Sequence, residues 1–325
     1  MRIVRDDEVV FFWGKPVTLK YDEISFSGKP LYQIDVRMRA DLLMKKQANI
    51  QLVVADIDGT FLDSSSRVSA GAEEAVREIR RRGIGFTFCS GRGNSGIKPF
   101  VKRLGLTLPY IVSTGAAIMD CDGETILRQD LLREEQIEGV VKLGVASGSD
   151  MLLHSAHHIF ALASDPFWED LQNWEWMYGY KLSQIFRVTH WRDALSKDII
   201  RMDIFNQDDR LPGLKQAVSD LGVDLHATQM KHNLEIMDQK VDKGIALQHL
   251  ADYLHIPMEN ILALGDGMND ASMLEAAGVG FAMHNSNTHV KNKANFVAPS
   301  NDQGGLAWVL NNLMSGKIVE YSTTE

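Results

Sequence analysis

The sequence predicts an α/β fold organised on an open parallel sheet, and three observations predict it. Short apolar runs at 52–55, 84–89, 110–113, 261–264 and 279–283 read as strands, the first of them buried on both faces as in parallel sheets. Helical patterns alternate with these runs, an order that demands parallel pairing with right-handed crossovers. Three of the runs stop at polar, glycine-bearing loops: Asp56-Ile57-Asp58-Gly59-Thr60, Ser90-Gly91-Arg92-Gly93 and Gly265-Asp266-Gly267-Met268-Asn269-Asp270. Ligands bind beyond the C-terminal strand ends of such sheets, so the three loops are expected at one edge.

In chain order, residues 1–50 stand apart as a β-rich extension. Apolar runs at 9–13 and 16–21 flank Gly14-Lys15 and suggest a hairpin; 27–30 suggests a second turn and 40–46 a short helix. The segment reads as an extension packed on the main body or as an arm for self-association. After the first strand, Ser69 is placed to cap a helix running to about residue 82, with Ala72, Val76 and Ile79 as its apolar stripe. Arg80, Arg81 and Arg82 fall where a helix C-terminus favours cations, and Gly83 ends it, so the arginine run reads as a solvated helix end. The helix after the second strand is expected to carry Pro99 in its first turn.

Between about 131 and 231 the alternation loosens and aromatics gather: Phe167, Trp168, Trp174, Trp176, Tyr178, Tyr180 and Trp191. This reads as an inserted second lobe, with its clearest strand over 199–205 and its clearest helix over 211–221. Regular α/β order is expected again after Asn233. Asp242 can cap a helix over 243–254; a strand at 261–264, a helix over 271–277 closed by Gly278, strands at 279–283 and 296–298, and a last helix over 306–313 follow. The tail from Ser315 reads as polar and loose.

The totals narrow the function. With 325 residues there is room for a core and more than one lobe, and 45% hydrophobic with 24% charged content is ordinary for a soluble globular protein. A net charge of -9 argues against a nucleic-acid surface, because a polyanion is repelled overall. No stretch is long enough to span a bilayer, and the acidic start is not a secretory signal, so a cytoplasmic protein is expected. Cys89 and Cys121 have no metal-type spacing and read as reduced, buried thiols.

The chemistry sits on the shared edge. Asp56 and Asp58 are two apart, so at a strand end they are expected to point the same way and to repel. With Asp266 and Asp270 they offer hard oxygen ligands and little His or Cys, which points to Mg²⁺. Lys243 falls in the first turn of its helix, where the dipole disfavours a cation; it is either extended into water or partnered by an anion at the edge. Ser90 and the Gly91 amide could donate to the same phosphoryl group. Together these imply phosphoryl transfer. Asp56 is the candidate nucleophile, making an aspartyl-phosphate; Asp58 would protonate the leaving oxygen and then take a proton from the attacking water. Mg²⁺, Lys243 and Ser90 would offset charge on the equatorial oxygens.

Four motifs carry a resemblance to the haloacid dehalogenase superfamily, in particular to its Cof-like phosphatases: Asp56-Ile57-Asp58-Gly59-Thr60, Ser90-Gly91-Arg92, Lys243-Gly244-Ile245-Ala246-Leu247 and Gly265-Asp266-Gly267-Met268-Asn269-Asp270, followed by Ala282-Met283-His284-Asn285. The resemblance covers about residues 51–313. It implies a Rossmann-like parallel-sheet core with an inserted α/β cap domain, divided as an extension (1–50), first core part (51–130), cap (131–231), and second core part with tail (232–325). It further implies Mg²⁺ held by the Asp56 carboxylate, the Asp58 carbonyl and Asp266, with Asp270 in support and Asn269 near the phosphate. The implied activity is a phosphatase for a small phosphate ester, such as a sugar phosphate, with a small phosphorylated metabolite as partner and self-association through the extension or cap. A phosphomutase on the same core and a non-catalytic sugar-phosphate sensor are the alternatives. The chain departs from the family at Thr114-Gly115-Ala116, where Asn-Gly-Ala is usual, and in residues 1–50.

Other signals carry less. Gly91-Arg92-Gly93-Asn94-Ser95-Gly96 matches a dinucleotide fingerprint, but Ser113 and Thr114 stand where the ribose-binding acid should come. Asp56 to Gly59 begins like a calcium loop, but Phe61 and Arg67 occupy the positions of the required glycine and glutamate. His154, His157 and His158 are expected to be cap residues, exposed or near the cleft, rather than a metal site.

Overall fold

The run Leu52–Ala55 forms a strand whose four residues are all buried, as a strand covered on both faces must be. The structure, a computed structural model, describes residues 9–12, 15–18, 49–171 and 184–316. The chain divides into two units, Met1–Phe86 with Ala251–Glu325, and Thr87–Leu250.

The first unit is built on a five-stranded sheet in the order Phe296–Ala298, Val279–Met283, Ile261–Gly265, Leu52–Ala55, Gly85–Phe88. The pairings among the first four strands are parallel. The helix Ala72–Arg81 turns Ala72, Val76 and Ile79 inward, as its spacing requires, and packs against the last helix, Gly305–Met314. Arg81 and Arg82 do end in solvent, pairing with Glu78 at 2.9 and 3.1 Å, while Arg80 is half-buried. Ser69 does not cap it. Gly71 stands at the N-cap in the left-handed region with no side-chain bond, and Ser69 contributes only its carbonyl, to the Ala72 N–H at 3.1 Å. The extension contains the expected hairpin strands, Val9–Phe12 antiparallel to Lys15–Thr18. The turn between them, the expected turn at 27–30, the expected helix at 40–46, Trp174, Trp176, Tyr178, Tyr180 and the tail beyond 316 lie outside the described residues.

In the second unit, Pro99 is the sixth residue of the helix Asn94–Leu104, not in its first turn. It has no N–H to offer the Ser95 carbonyl, and burial of Ile97, Val101 and Leu104 carries the helix through that gap. Tyr110–Val112 meets Cys89 through one parallel bridge at Ile111, but its main partner is antiparallel, in a meander with Ala117–Met119 and Ile126–Gln129. The larger sheet has six strands, in the order Ile185–Arg187, Ile159–Leu162, Asp150–His154, Arg201–Phe205, Asn233–Asp238, Leu225–Gln229. The expected return of α/β order after Asn233 therefore comes later, because Asn233–Asp238 is an inner strand of this mostly antiparallel sheet.

Strand alternation sorts this sheet into two faces. Met151, Leu153, Met202, Ile204, Leu234 and Ile236 share one core with residues of the helices Glu134–Ser147 and Leu211–Asp220. The alternate positions put His154, Arg201, Asp203 and Glu235 on the other face.

Candidate active site

The first unit brings three carboxylates together. Parallel pairing sets Ala55 opposite Leu264, and the Asp56 N–H donates to the Leu264 carbonyl at 2.9 Å, so the loops bearing Asp56 and Asp266 leave neighbouring strands side by side. Ligand oxygens of Asp56, Asp266 and Asp270 all lie within 4.8 Å of one another; Asp56 and Asp270 are buried and Asp266 half-buried. This is the only such metal-capable group among the described residues. Asp58 is not in it. The strand ends at Ala55, Asp56 and Asp58 both keep extended backbone angles beyond it (φ/ψ -68/164° and -77/125°), and Asp58 is exposed.

Neighbouring groups fix these acids. Thr60 Oγ1 donates to Asp266 Oδ1 at 3.2 Å, and Asn285 Nδ2 donates to Asp266 Oδ2 at 3.1 Å and to the Gly59 carbonyl at 2.9 Å. Asn285 Oδ1 in turn accepts the Asn301 N–H at 3.1 Å. Asp270 Oδ2 accepts the Asp266 and Gly267 N–H groups at 2.9 and 2.8 Å, so this carboxylate also shapes its own loop. Sequence reasoning gave Thr60 and Asn285 no role and passed over Asn301. Asn285 was findable, because it follows a further strand, Val279–Met283, on the same sheet. Three crowded carboxylates with oxygen donors only suit a hard divalent cation, which would relieve their repulsion. Asn269, half-buried, folds over Gly267 in the same loop.

The remaining expected site residues belong to the second unit. Ser90 is buried, its N–H donating to the Ile111 carbonyl at 3.1 Å and its carbonyl accepting the Thr114 N–H at 3.0 Å. Lys243 opens the helix Lys243–Leu254 and is 1% exposed, which rules out a lysine extended into water. Asp242 caps that helix as expected: its Oδ1 accepts the Gly244 N–H at 2.7 Å and the Ile245 N–H at 3.1 Å. Thr114 holds a left-handed φ of 59°, rare for a β-branched residue, and its buried hydroxyl has no partner among the described residues. Cys89 is buried and Cys121 half-buried, and neither forms a disulfide among the described residues.

The open face of the six-stranded sheet carries a buried charge cluster that the sequence did not disclose. Arg201 Nε and Nη2 donate to Asp203 Oδ1 and Oδ2 at 3.0 and 2.7 Å, Arg201 Nη1 lies 3.6 Å from Glu235 Oε1, and His154 Nε2 lies 2.8 Å from Asp203 Oδ2. His154, expected to be exposed or near the cleft, is 3% exposed and lines a cavity on this face; His158 is exposed and His157 half-buried. Burial pushes the Glu235 carboxyl up, and the Arg201 guanidinium holds back part of that rise. Burial alone would raise Asp203 as well, but Arg201 and then His154 outweigh it and hold the carboxyl at about 2. A cavity of about 870 Å³ lies over this face, with Leu152, Ile159, Phe167 and Phe205 among its apolar walls and Arg201 and Arg210 among its charged ones.

Burial pushes the His154 imidazole below its usual range, against the pull of Asp203. The folded chain therefore keeps His154 neutral where the unfolded chain takes up a proton, and the stability this gives is present above about pH 6.5 and lost as pH falls. The unfolding midpoint should drop between about pH 7 and pH 5, and His154→Gln, which keeps an N–H toward Asp203, should flatten that drop. Equal slopes in the two proteins would remove His154 as its source.

Comparison with known proteins gives a consistent result. The family profile described as haloacid dehalogenase-like hydrolase matches residues 53–310. The chain is 28% identical over 289 residues to the 5-amino-6-(5-phospho-D-ribitylamino)uracil phosphatase YwtE of Bacillus subtilis (strain 168), covering 82% of this chain and 99% of that one. It is 27% identical to Phosphatase YwpJ of the same organism, covering 82% and 100%. Among solved structures, a haloacid dehalogenase-like hydrolase from Bacteroides thetaiotaomicron superposes with a TM-score of 0.72 at 23% identity, over 81% of this chain and 99% of that one. Among the described residues no helix is long and apolar enough to cross a membrane.

Proposed function

Because the chain belongs to the haloacid dehalogenase-like hydrolase family, as a phosphatase of its Cof-like branch, we propose that it hydrolyses a small phosphate ester through an aspartyl-phosphate on Asp56, with Mg²⁺ as cofactor. The observation that carries this reading is the convergence of Asp56, Asp266 and Asp270 at adjacent strand ends. Asp56, Asp266 and Asp270, with the Asp58 carbonyl, would hold the ion. When bound, Mg²⁺ supplies positive charge against both the carboxylates and the phosphoryl oxygens.

The chain's own residues account for the rest. A carboxylate oxygen of Asp56 attacks phosphorus in line, and the bond to the leaving oxygen breaks. Asp58, exposed and outside the acid cluster, gives that oxygen its proton. Water then attacks the phosphorus of the acyl phosphate, Asp58 takes the water's proton, and inorganic phosphate leaves as Asp56 is regenerated. The Ser90 hydroxyl, Gly91 N–H, Lys243 and Asn269 bind the phosphoryl oxygens. Lys243 is buried at the start of its helix, where its ammonium and the helix N-terminus both attract a phosphoryl anion, and this supports the role. The unpartnered Thr114 hydroxyl would serve in place of the usual asparagine.

We assign the non-phosphate part of the substrate to the segment read as the cap, 131–231, together with the strand Asn233–Asp238 that joins its sheet. A cavity of about 870 Å³ with apolar and charged walls suits a phosphorylated metabolite such as a sugar or polyol phosphate. The YwtE relative, named for a phosphorylated ribityl compound, supports the same class. We place the protein in the cytoplasm and assign residues 1–50 or the cap to self-association.

A panel of phosphorylated metabolites, read by release of inorganic phosphate with and without Mg²⁺, tests the proposal. Release that needs Mg²⁺ and no bisphosphate activator is expected, and would exclude a phosphomutase. Binding without release from any ester would favour a sugar-phosphate sensor.

A further inference from the structure

Arg201 and Gly91 are 110 positions apart, yet Arg201 Nη1 donates to the Gly91 carbonyl at 2.8 Å. The guanidinium cannot swing. Two of its nitrogens are taken by Asp203, Arg201 is 8% exposed, and Asp203 is 2% exposed. A planar fork clamped on one edge presents its third nitrogen in a fixed direction.

The receiving peptide is also held at its other end. The Gly91 carbonyl and the Arg92 N–H belong to one rigid peptide plane. The Arg92 N–H donates to Ser90 Oγ at 3.2 Å. Ser90 Oγ thus accepts from the very peptide whose carbonyl Arg201 grips, and its own O–H is left to donate elsewhere. The next link is held too, because the Ser113 N–H donates to the Arg92 carbonyl at 2.8 Å. The direction of the Ser90 hydroxyl is therefore set from the strand Arg201–Phe205, through one guanidinium and one peptide plane.

We propose that Arg201 is a positioning residue for phosphoryl binding: it orients the Gly91–Arg92 peptide and, through it, the Ser90 hydroxyl. The proposal rests on the functional reading above, in which Ser90 donates to a phosphoryl oxygen. Arg201 touches neither substrate nor metal in this role. Asp203 aims the fork, and His154 and Glu235 complete the buried shell around it.

Arg201→Lys separates this role from plain structural support. Lysine keeps a positive charge beside Asp203, but a single ammonium cannot clamp Asp203 at two points and also reach Gly91. The test is a double-mutant cycle of R201K with Ser90→Ala, read as kcat/KM for p-nitrophenyl phosphate and as calorimetric affinity for inorganic phosphate, with Mg²⁺ present. R201K should cost about 10- to 100-fold in a chain that keeps Ser90, the size expected of a small misplacement. In the S90A background the same substitution should cost less than about 3-fold, because the group it positions is gone. An equal loss in both backgrounds would mean that Arg201 only supports the fold, and no loss with Ser90 present would mean that the contact is idle; either overturns the inference. If R201K does not fold, Arg201→Ala is read in the same cycle, and restoration by free guanidinium only when Ser90 is present takes the place of the R201K result. Failure of the functional reading looks different: the unaltered protein then releases no phosphate from any ester, and the cycle is decided by phosphate affinity alone, with absence of any affinity counting against Arg201.

Discussion

Asp56→Asn abolishes turnover: hydrolysis of p-nitrophenyl phosphate falls by at least about 10⁴-fold, the scale seen when a nucleophile working as part of a unit is removed. The amide is nearly isosteric and keeps its place at the end of the strand Leu52–Ala55, but its oxygen lacks the charge to attack phosphorus. The same carboxylate belongs to the acid cluster, so weakened metal binding must be told apart from a lost nucleophile. Titration with Mg²⁺ does this. A binding defect is overcome by more metal, whereas a missing nucleophile is not. Acid-quenched wild-type protein should carry an acyl phosphate on Asp56 that the variant lacks. Asp58→Asn supplies the contrast. p-Nitrophenolate leaves without a proton, so the first step should survive, the water step should slow by about 10²–10⁴-fold, and the intermediate should accumulate. An Asp56→Asn protein with activity near that of wild type would remove Asp56 as nucleophile and, with it, the covalent mechanism.

These residues were legible because buried parallel strands leave a strong mark. The runs at 52–55, 279–283 and 296–298 became strands with the expected bounds, and 261–264 extends by one residue, to Gly265. Each is apolar throughout because both faces are covered, and each reactive loop begins where the apolar run stops. The helix over 243–254 was equally plain from Asp242 and its apolar spacing. The failures have physical causes too. Asn233–Asp238 was read as a return to the core pattern because an inner strand of a half-covered sheet is only partly apolar, and nothing local says which sheet it joins. His154, Arg201, Asp203 and Glu235 gave no sign in the sequence of a buried cluster. Their burial depends on mutual pairing across three strands, which no single window of sequence can display. The Arg201–Gly91 contact spans 110 positions and was invisible for the same reason.

Gly59→Ala should raise the metal concentration needed for half-maximal activity by about 10- to 100-fold, the cost typical of disturbing the groups that orient metal ligands. Gly59 has a φ of +75°, so any side chain there meets the left-handed penalty of about 1–2 kcal/mol. Space is the larger problem. A Cβ at Gly59 would lie 2.2 Å from Asp266 Oδ2 and 2.6 Å from Asp266 Cγ and Oδ1. The Asp266 carboxylate cannot yield freely, since Thr60 Oγ1 holds one oxygen and Asn285 Nδ2 the other. The methyl group must push it out of the cluster with Asp56 and Asp270, or push the loop away from it. Gly83→Ala isolates the backbone cost: Gly83 has a φ of +84° with nothing within 4 Å of its would-be Cβ. The Gly83 variant should lose stability by a similar conformational amount while its Mg²⁺ requirement stays at the wild-type level. The Gly59 variant should show both effects, and excess Mg²⁺ should recover part of its rate. If the two variants share an unchanged metal requirement, Asp266 does not bind the ion, and the three-carboxylate cluster must owe its closeness to the loop hydrogen bonds alone.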